Sequence, residues 1–564
     1  MNDRPARDRR RGTGSRVLTV TWLTAATQLA LLQSAAAGQL ETGIPDLRIL
    51  WDTTVKYSTA WRLKQPSATL LSDPNSDDGD RNFGKGLVSN RLDLLSEFDL
   101  YYRNVGGRIS AAAWYDGVYR RGNQNDSPAT ANNISVPNNQ FNDEVRTLHG
   151  GKAELLDAFV FGSVEVGSGS RLSARLGRHA LLWGESLFFG PNGIAYGQGS
   201  FDVIKAASVP NSQFKELQRP VNQLSGQMQI TPEVSLAAYL QFKWEAVRLP
   251  GVGSYFSSQS DVVGAGGERA WVPAAAAPIP NANMLRGDDI KAKNSGQGGL
   301  ALRWRAGDVD YGLYATRYHD KAPMVYMRTW APPGSGAPAP NWNLASGQMG
   351  TYHFVYPEGV RSFGGSATVT LGAVNLAGEL SVRRNTPLLS DAQSDPTGTG
   401  DNSANALYAV GNSAHAQVSW LATLPPSFLS READLLGEVA WNRVTSVTRN
   451  PAARSKNATR DATNVRMIYE PKYRQVLPGL DLSVPVGLGY GLKGNSSVVG
   501  PFYGEKVGDF SIGISGAWHD AWRFALNVTH HFGPEGTFLE NGTATYKQTL
   551  KDRDFVSLSL RRTF

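Results

Sequence analysis

Four short stretches carry residue types that could do chemistry. D-P-N-S-D-D-G-D at 73–80 has the carboxylate density of a calcium loop, in which alternate positions ligate and the sixth is glycine. Its glycine falls one place late, and Gly84 stands where the twelfth-position carboxylate belongs. A solvated outer loop is expected there, with a weak cation site as the alternative. G-L-G-Y-G-L-K-G at 487–494 lacks the spacing of a phosphate loop, and Gly487, Gly489 and Gly491 share one strand parity, so they read as packing residues. His530 and His531 are neighbours at a strand end, which points them to opposite faces and makes a poor metal pair. G-E-S-L-F at 184–188 is the nearest approach to a nucleophile elbow and lacks its second glycine. No catalytic residue, metal ligand or cofactor is assigned, and an enzyme is not expected.

The remaining candidates are charged side chains whose meaning depends on which way they face. That is set by a two-residue period running the length of the chain. Val556, Leu558, Leu560 and Phe564 share one parity, broken by Arg562, against Ser557, Ser559, Arg561 and Thr563. Ile49, Trp51, Val55, Tyr57 and Trp61 alternate with Arg48, Asp52, Thr54, Lys56, Ser58 and Arg62. Val234, Leu236, Leu240, Phe242 and Trp244 alternate with Ser235, Tyr239, Gln241, Lys243 and Glu245. Period two means strands with one apolar and one polar face.

Short turns and long polar stretches alternate between these strands. The turns fall near 104–106, 167–170, 231–233, 306–308, 372–373, 424–434, 473–478 and 519–521. The long stretches cover about 63–89, 120–152, 182–222, 246–297, 318–362, 385–412, 447–463, 490–506 and 533–550. A transmembrane antiparallel β-barrel keeps its turns on the periplasmic side and its long loops outside. The count is about 18 strands, within 16–18. Trp304, Trp420, Trp518 and Trp522 fall beside short turns and Trp61, Trp244 and Trp441 toward long loops, all on the apolar parity. Two such belts suit the two membrane interfaces.

Composition agrees. The 564 residues include 60 Gly, 14 Trp, 20 Tyr and no Cys, which rules out disulfides and thiolate metal sites. A basic stretch, an apolar run and an A-x-A ending at Ala37 read as a signal peptide over 1–37. Removing it takes away six Arg and two Asp, so the formal charge of +7 falls to about +3. Nucleic acid is not an expected partner. The expected organisation is a signal peptide followed by one barrel domain over 38–564, located in the outer membrane.

Around the third long stretch the chain reads L-G-R-H-A-L-L-W-G-E-S, then Q-F-K-W-E and Y-F-S-S-Q-S-D. Gly177, Arg178, Trp183, Gly184, Glu185 and Ser186 carry the first motif, Gln241, Trp244 and Glu245 the second, and Tyr255, Phe256, Ser257 and Asp261 the third. In these the chain resembles the Gram-negative family known as domain of unknown function 1302. The resemblance implies an outer-membrane barrel, often encoded beside a periplasmic partner and exporters of hydrophobic compounds or catabolic enzymes. It supplies no activity. Phe564 likewise resembles the terminal signal that such barrels show to their assembly machinery. Expected partners are therefore outer-membrane lipid and lipopolysaccharide, that machinery, and a periplasmic lipid-binding protein.

Inward parity gives the expected pore lining. Arg171, Arg175, Lys243, Arg303 and Arg305 form a basic set from the fifth to the eighth strand, facing Asp93, Glu97 and Asp99 of the second and Asp52 of the first. Segregated signs would orient a charged solute; pairing of opposite charges across strands is the plainer alternative. The stretch 182–222 carries Trp183, Glu185, Phe188, Phe189, Lys215, Glu216 and Arg219. It is expected to fold into the barrel and constrict it, or else to cover the mouth as a lid. The leading function is an outer-membrane channel or substrate-specific porin for small anionic or amphipathic solutes. The alternative is a barrel component of envelope lipid or hydrophobic-compound traffic, served by the periplasmic partner.

Overall fold

Strands apolar on one face are stable in lipid only if no backbone edge is left unpaired, because each unsatisfied N–H or C=O costs several kcal/mol there. The computed structural model meets that condition by closing. It describes residues 38–564 except 168, 258–260, 274–276, 278 and 330–342; the expected signal peptide lies outside the described residues.

Eighteen antiparallel strands form the wall. The first six are β1 (Leu47–Arg62), β2 (Gly86–Tyr102), β3 (Val105–Asp116), β4 (Gly151–Val166), β5 (Ser170–His179) and β6 (Val221–Gln229). Next come β7 (Val234–Gln241), β8 (Gln297–Ala306), β9 (Val309–Tyr318), β10 (Val360–Leu371), β11 (Val374–Pro387) and β12 (Val410–Leu424). The last are β13 (Glu432–Arg449), β14 (Asp461–Leu477), β15 (Leu480–Ser483 and Val486–Lys493), β16 (Gly508–Trp518), β17 (Trp522–Phe532) and β18 (Phe555–Thr563). Each pairs with its neighbour in sequence, and β18 pairs with β1 from Arg62↔Phe555 to Thr54↔Thr563. Pro485, with no N–H to give, falls at the break within β15.

The described residues begin and end at the end of the barrel that carries the short turns. Phe564 donates its N–H to the carbonyl of Thr53 (2.8 Å) and accepts from the Thr53 N–H (3.0 Å). Gly38–Leu40 then pairs with Ile49–Trp51, so the edge of β1 stays covered below the last residue. Arg562, the one charge on the apolar parity of β18, lies 5.0 Å from the Trp522 ring and 4.6 Å from that of Phe564. Two aromatic faces thus receive its guanidinium.

The outward parity is apolar and bare, with Leu300 and Leu380 65% and 66% exposed. That is the surface lipid covers, and the architecture is that of an outer-membrane-type barrel. Trp244 does not join the outer belt. β7 ends at Gln241, three residues short of it. Its ring is buried against Tyr356, 4.7 Å away, and its Nε1 donates to the carbonyl of Asp320. The long loops carry more structure than their polarity suggests. Arg269–Trp271, Asn283–Arg286, Met324–Thr329, Gln348–Val355 and Gln393–Ser394 form a five-stranded sheet of their own. Phe83, Tyr119, Phe141, Tyr255 and Phe256 form a core between loops, seated on Phe555. Gly487, Gly489 and Gly491 lie in β15, and Gly494 just past its end.

Orientation can be read on intact cells. Gly372 sits in a short turn and Gly500 in a long loop, and neither has an atom within 4 Å of where a Cβ would stand. An epitope inserted at Gly500 should be labelled from outside, and one at Gly372 only after permeabilisation. The reverse pattern would invert the topology.

Candidate functional site in the barrel lumen

The chain leaves β5 at His179, and before β6 begins residues 180–220 make contact with inward-parity residues of β7, β9, β11, β13 and β16. Trp183 packs edge-on against Tyr239 of β7 at 4.9 Å and lies 6.1 Å from Tyr314 of β9. Gly184 follows at φ +84, where a Cβ would stand 2.3 Å from Oε2 of Glu379. Only glycine fits that approach.

Two buried carboxylates on the wall hold this segment by its backbone. Glu379 of β11, 3% exposed, accepts from the N–H groups of Glu185 (2.8 Å) and Ile194. Glu438 of β13, fully buried, accepts from Leu187 (3.3 Å), Phe188 (2.5 Å) and Phe189 (2.7 Å). A carboxylate taking several N–H groups forms charge-assisted bonds stronger than neutral ones. Arg383 of β11 supplies the complement. Its Nη2 donates to the carbonyls of Pro191, Asn192 and Gly193 at 2.8–2.9 Å. Beyond these anchors Phe188 and Phe189 pack with Ile468, Val499 and Phe502. At the far wall Asn211 Oδ1 accepts from Ser511 Oγ of β16 at 3.3 Å. The segment returns with Gln218–Arg219 paired to Ser200–Phe201.

The sequence-expected loop residues divide by role. Trp183, Phe188 and Phe189 are buried against the wall. Glu185 accepts a long bond from Ser366 Oγ (3.4 Å). Burial raises its pKa, opposed by Thr368, Arg303 and Ser366. Lys215 and Glu216 are exposed on the short helix Phe214–Leu217. Arg219 joins the rim, 3.6 Å from Glu154 and 3.8 Å from Glu245.

Among the expected pore-lining charges, several are paired. Arg108 of β3 binds Asp99 through two bonds of 2.6 Å and approaches Glu97 at 3.9 Å. Asp93 pairs with Arg91 at 2.7 Å, Arg171 lies 3.9 Å from Glu165, and Arg305 binds Asp310 at 2.8 Å. Lys243 lies past the end of β7 beside Glu245, at the rim and not on the strand wall. Asp52, Arg175 and Arg303 have no oppositely charged group within 4.0 Å among the described residues. Arg171 and Arg303 are separated in register by the uncharged Gln229 and Ser235.

A continuous basic row exists elsewhere. Arg523 of β17, Arg561 of β18 and Lys56 of β1 are direct cross-strand neighbours on the inward face. Arg523 and Arg561 are exposed although they point inward. Lys205 of the infolded segment acts electrostatically on Lys56, as Glu216 does on Arg561.

The first two sequence motifs meet at the top of this arrangement. Arg178 of the first binds Glu245 of the second at 2.6 Å. Gln198 accepts from the Trp183 N–H (2.6 Å), while its carbonyl accepts from Gln241 Nε2 (2.7 Å). In the third motif, the carbonyls of Tyr255 and Ser257 accept from Arg553. The motifs fasten the infolded segment and the outer cap to the wall.

The chain belongs to the family described as Protein of unknown function (DUF1302). The family's profile matches residues 18–564, nearly the whole sequence. No curated protein matches it. Among solved structures it is similar to Acinetobacter baumannii OccAB2, at 9% identity over 92% of this chain and 98% of that one, with a TM-score of 0.38. The Acinetobacter baumannii outer membrane channel DcaP gives 8% identity, 94% and 100% coverage and a TM-score of 0.38. Salmonella typhi OmpF gives 8%, 93% and 100%, and 0.34. Likeness at that level says nothing about what this family member handles.

The third family motif ends in an acidic cluster. Asp77, Asp78 and Asp261 are buried with one oxygen of each within 4.8 Å of the others. Asp78 takes bonds from Asn125 and Asn132 and from the Thr130 hydroxyl, and Asp261 from the N–H groups of Asp78 and Gly253. Asp80 beside them binds Arg62 (2.8 Å) and Arg553 (2.9 Å). The calcium-like spelling of 73–80 thus builds a hydrogen-bonded joint between loops. His530 and His531 lie on opposite faces as expected, beside Phe510 and Asp509 respectively, and their Nδ1 atoms lie 2.6 and 3.8 Å from different oxygens of Asp554.

Removing the wall carboxylates should free the loop without opening the barrel. Glu379→Ala with Glu438→Ala leaves five loop N–H groups without their acceptors, at about 1–3 kcal/mol for each that stays buried. Hydrogen exchange over 185–194 should accelerate while the wall strands stay protected. Unchanged exchange would show that the apolar contacts alone hold the segment.

The acidic joint should loosen as pH rises. Burial pushes Asp77 up to about 7 and, with the charge of Asp80, Asp552 up to about 6; it raises Asp78 and Asp261 as well. The unfolded carboxyls ionise near 4, so the stability these groups lend is complete below that pH and is lost as pH climbs to about 7. Burial would raise Asp80 too, but Arg553 and Arg62 outweigh it and hold it low, so what Asp80 lends is present above the unfolded carboxyl range and is lost only as pH falls. Proteolysis within 63–85 by a protease equally active at both pH values should be several-fold faster at pH 8 than at pH 5. Equal rates would refute this.

Proposed function

We propose that this protein is an outer-membrane channel for small anionic solutes, narrowed by residues 180–220. The observation that carries the reading is the inward row Arg523–Arg561–Lys56, opposite Lys205 and Glu216 of the infolded segment. Like charges set directly across adjacent strands destabilise a sheet. A lumen that keeps three in a row gains from it if anions pass there. The exposure of Arg523 and Arg561 on the inner face supports water beside them, as expected for a barrel of this strand number.

The same geometry divides labour within the lumen. Trp183, Phe188 and Phe189 anchor the segment, while Lys205 and Glu216 present its charges to the passage. The acidic set on β1 and β2 is largely neutralised by Arg91 and Arg108, so the net field on that side comes from the basic row. Arg175 and Arg303 add unpaired positive charge on β5 and β8.

Planar-bilayer recording tests this. The wild-type barrel should show discrete conducting steps and an anion-preferring reversal potential. Arg523→Glu with Arg561→Glu should abolish or invert that preference, and the difference should shrink at 1 M salt, where screening acts within about 3 Å. Conduction with unchanged preference would remove the basic row from the mechanism. A barrel that never conducts and purifies with bound lipid would point to lipid traffic instead.

A further inference from the structure

A second basic row lies on the outside of the barrel. Arg317 of β9, Arg361 of β10 and Arg384 of β11 are direct cross-strand neighbours. Their parity is that of Leu313, Phe363, Leu380 and Val382, all exposed on the lipid-facing surface. The three arginines are exposed as well, at the long-loop ends of their strands. Lys293, Glu358, Asn385, Ser403 and Arg449 complete a cavity of about 430 Å³ around them.

The charges in this cavity do not balance. Glu358 pairs with Lys293 at 3.0 Å. Arg449 donates to the carbonyl of Ser403 and to Asn385 Oδ1. Among the described residues no carboxylate lies within 4.0 Å of Arg317, Arg361 or Arg384. Five cations against one carboxylate leave a surplus held in a pocket, and like charges on directly opposed positions repel. Among the described residues only Glu358 offsets them, which points to a polyanion from outside as the partner.

Position selects the class of anion. These side chains point away from the lumen, so a permeating solute does not meet them. They stand where the apolar band gives way to the loops, and two positions toward the membrane on β10 and β11 come Phe363 and Val382. With strands about 4.8 Å apart, the row spans about 10 Å, room for more than one phosphate. Guanidinium forks match phosphate oxygens two at a time.

We propose that this pocket docks the phosphorylated saccharide of an outer-leaflet glycolipid, the membrane anchor of lipopolysaccharide, with its acyl chains lying over Phe363, Leu380 and Val382. The proposal rests on the outer-membrane placement and is independent of whether the barrel conducts. The bound lipid relieves the repulsion within the row and fixes one sector of the barrel against the leaflet.

The test uses the full protein extracted from outer membranes in a zwitterionic detergent. Native mass spectrometry counts the glycolipid retained, and heat-modified gel mobility confirms a folded barrel. The wild type should retain it, and R317Q/R361Q/R384Q should lower occupancy about tenfold. R443Q, which removes an outward arginine paired with Asp461 at 3.3 Å, should leave it unchanged. If the triple variant does not fold, R361Q alone should lower occupancy several-fold. Inorganic phosphate at millimolar concentration should fail to displace the lipid; full displacement would mark a free-phosphate site and overturn the proposal. Equal retention by wild type and the folded variant would overturn it too. A fall in retention with conductance unaltered would separate this result from the channel reading.

Discussion

The structure depends on one constraint: in hydrocarbon, a backbone N–H or C=O has no partner but another strand. A sheet of this size must therefore close, and closure joins Phe555–Thr563 to Thr54–Arg62, some 500 residues apart in sequence. Closure fixes the rest of the geometry. Each strand has one face for lipid and one for the lumen, so a one-residue slip would exchange the two. Long side chains cannot wander between environments. The single exception on β18, Arg562, is tolerated because Trp522 and Phe564 receive it.

The same accounting of backbone groups recurs inside. A segment drawn into the lumen away from bulk water brings N–H groups that need acceptors. Glu379 and Glu438 each accept from several, and Arg383 meets three carbonyls in return. These side chains belong to the wall, so the segment is held by the barrel as well as by its own folding. The consequence is a division between residues that fix the segment and residues that face the passage. Most of its aromatic residues belong to the first group, and Lys205 and Glu216 to the second.

How much of this was legible in the sequence follows from the range of each interaction. Strand number, parity and the alternation of turns and loops are local, and the two-residue period carries them. Residues 182–222 stood out by content, yet their anchors did not. Glu379 sits on a parity where a polar residue is unremarkable, and only register shows its cross-strand neighbours to be the uncharged Ser366 and Gln417. The cap escaped for a related reason. Its parallel pairing of Asn283–Arg286 with Gln348–Val355 joins distant segments without a local signature. Trp244 had the right parity but followed a strand that had already ended. The lumen charges were sought along consecutive strands, whereas the continuous row Arg523–Arg561–Lys56 crosses the seam where the last strand meets the first. A linear reading places its members at opposite ends of the chain.

Both basic rows obey one physical argument with opposite results. Cross-strand neighbours stand about 5 Å apart, so three cations in line raise each other's energy unless counter-charge is near. On the acidic side of the lumen the chain provides it internally: Arg108 meets Asp99, and Arg91 meets Asp93. In the two basic rows the described residues provide little, Asp93 acting on Lys56 and Glu216 on Arg561 in one, and Glu358 beside Lys293 in the other. A wall that neutralises some of its charges in place and leaves others open separates structural pairs from charges free to meet an anion. Under the two proposals, parity alone decides which anion each row would take. Residues facing inward meet what moves through water in the lumen, and residues facing outward meet what is fixed in the leaflet.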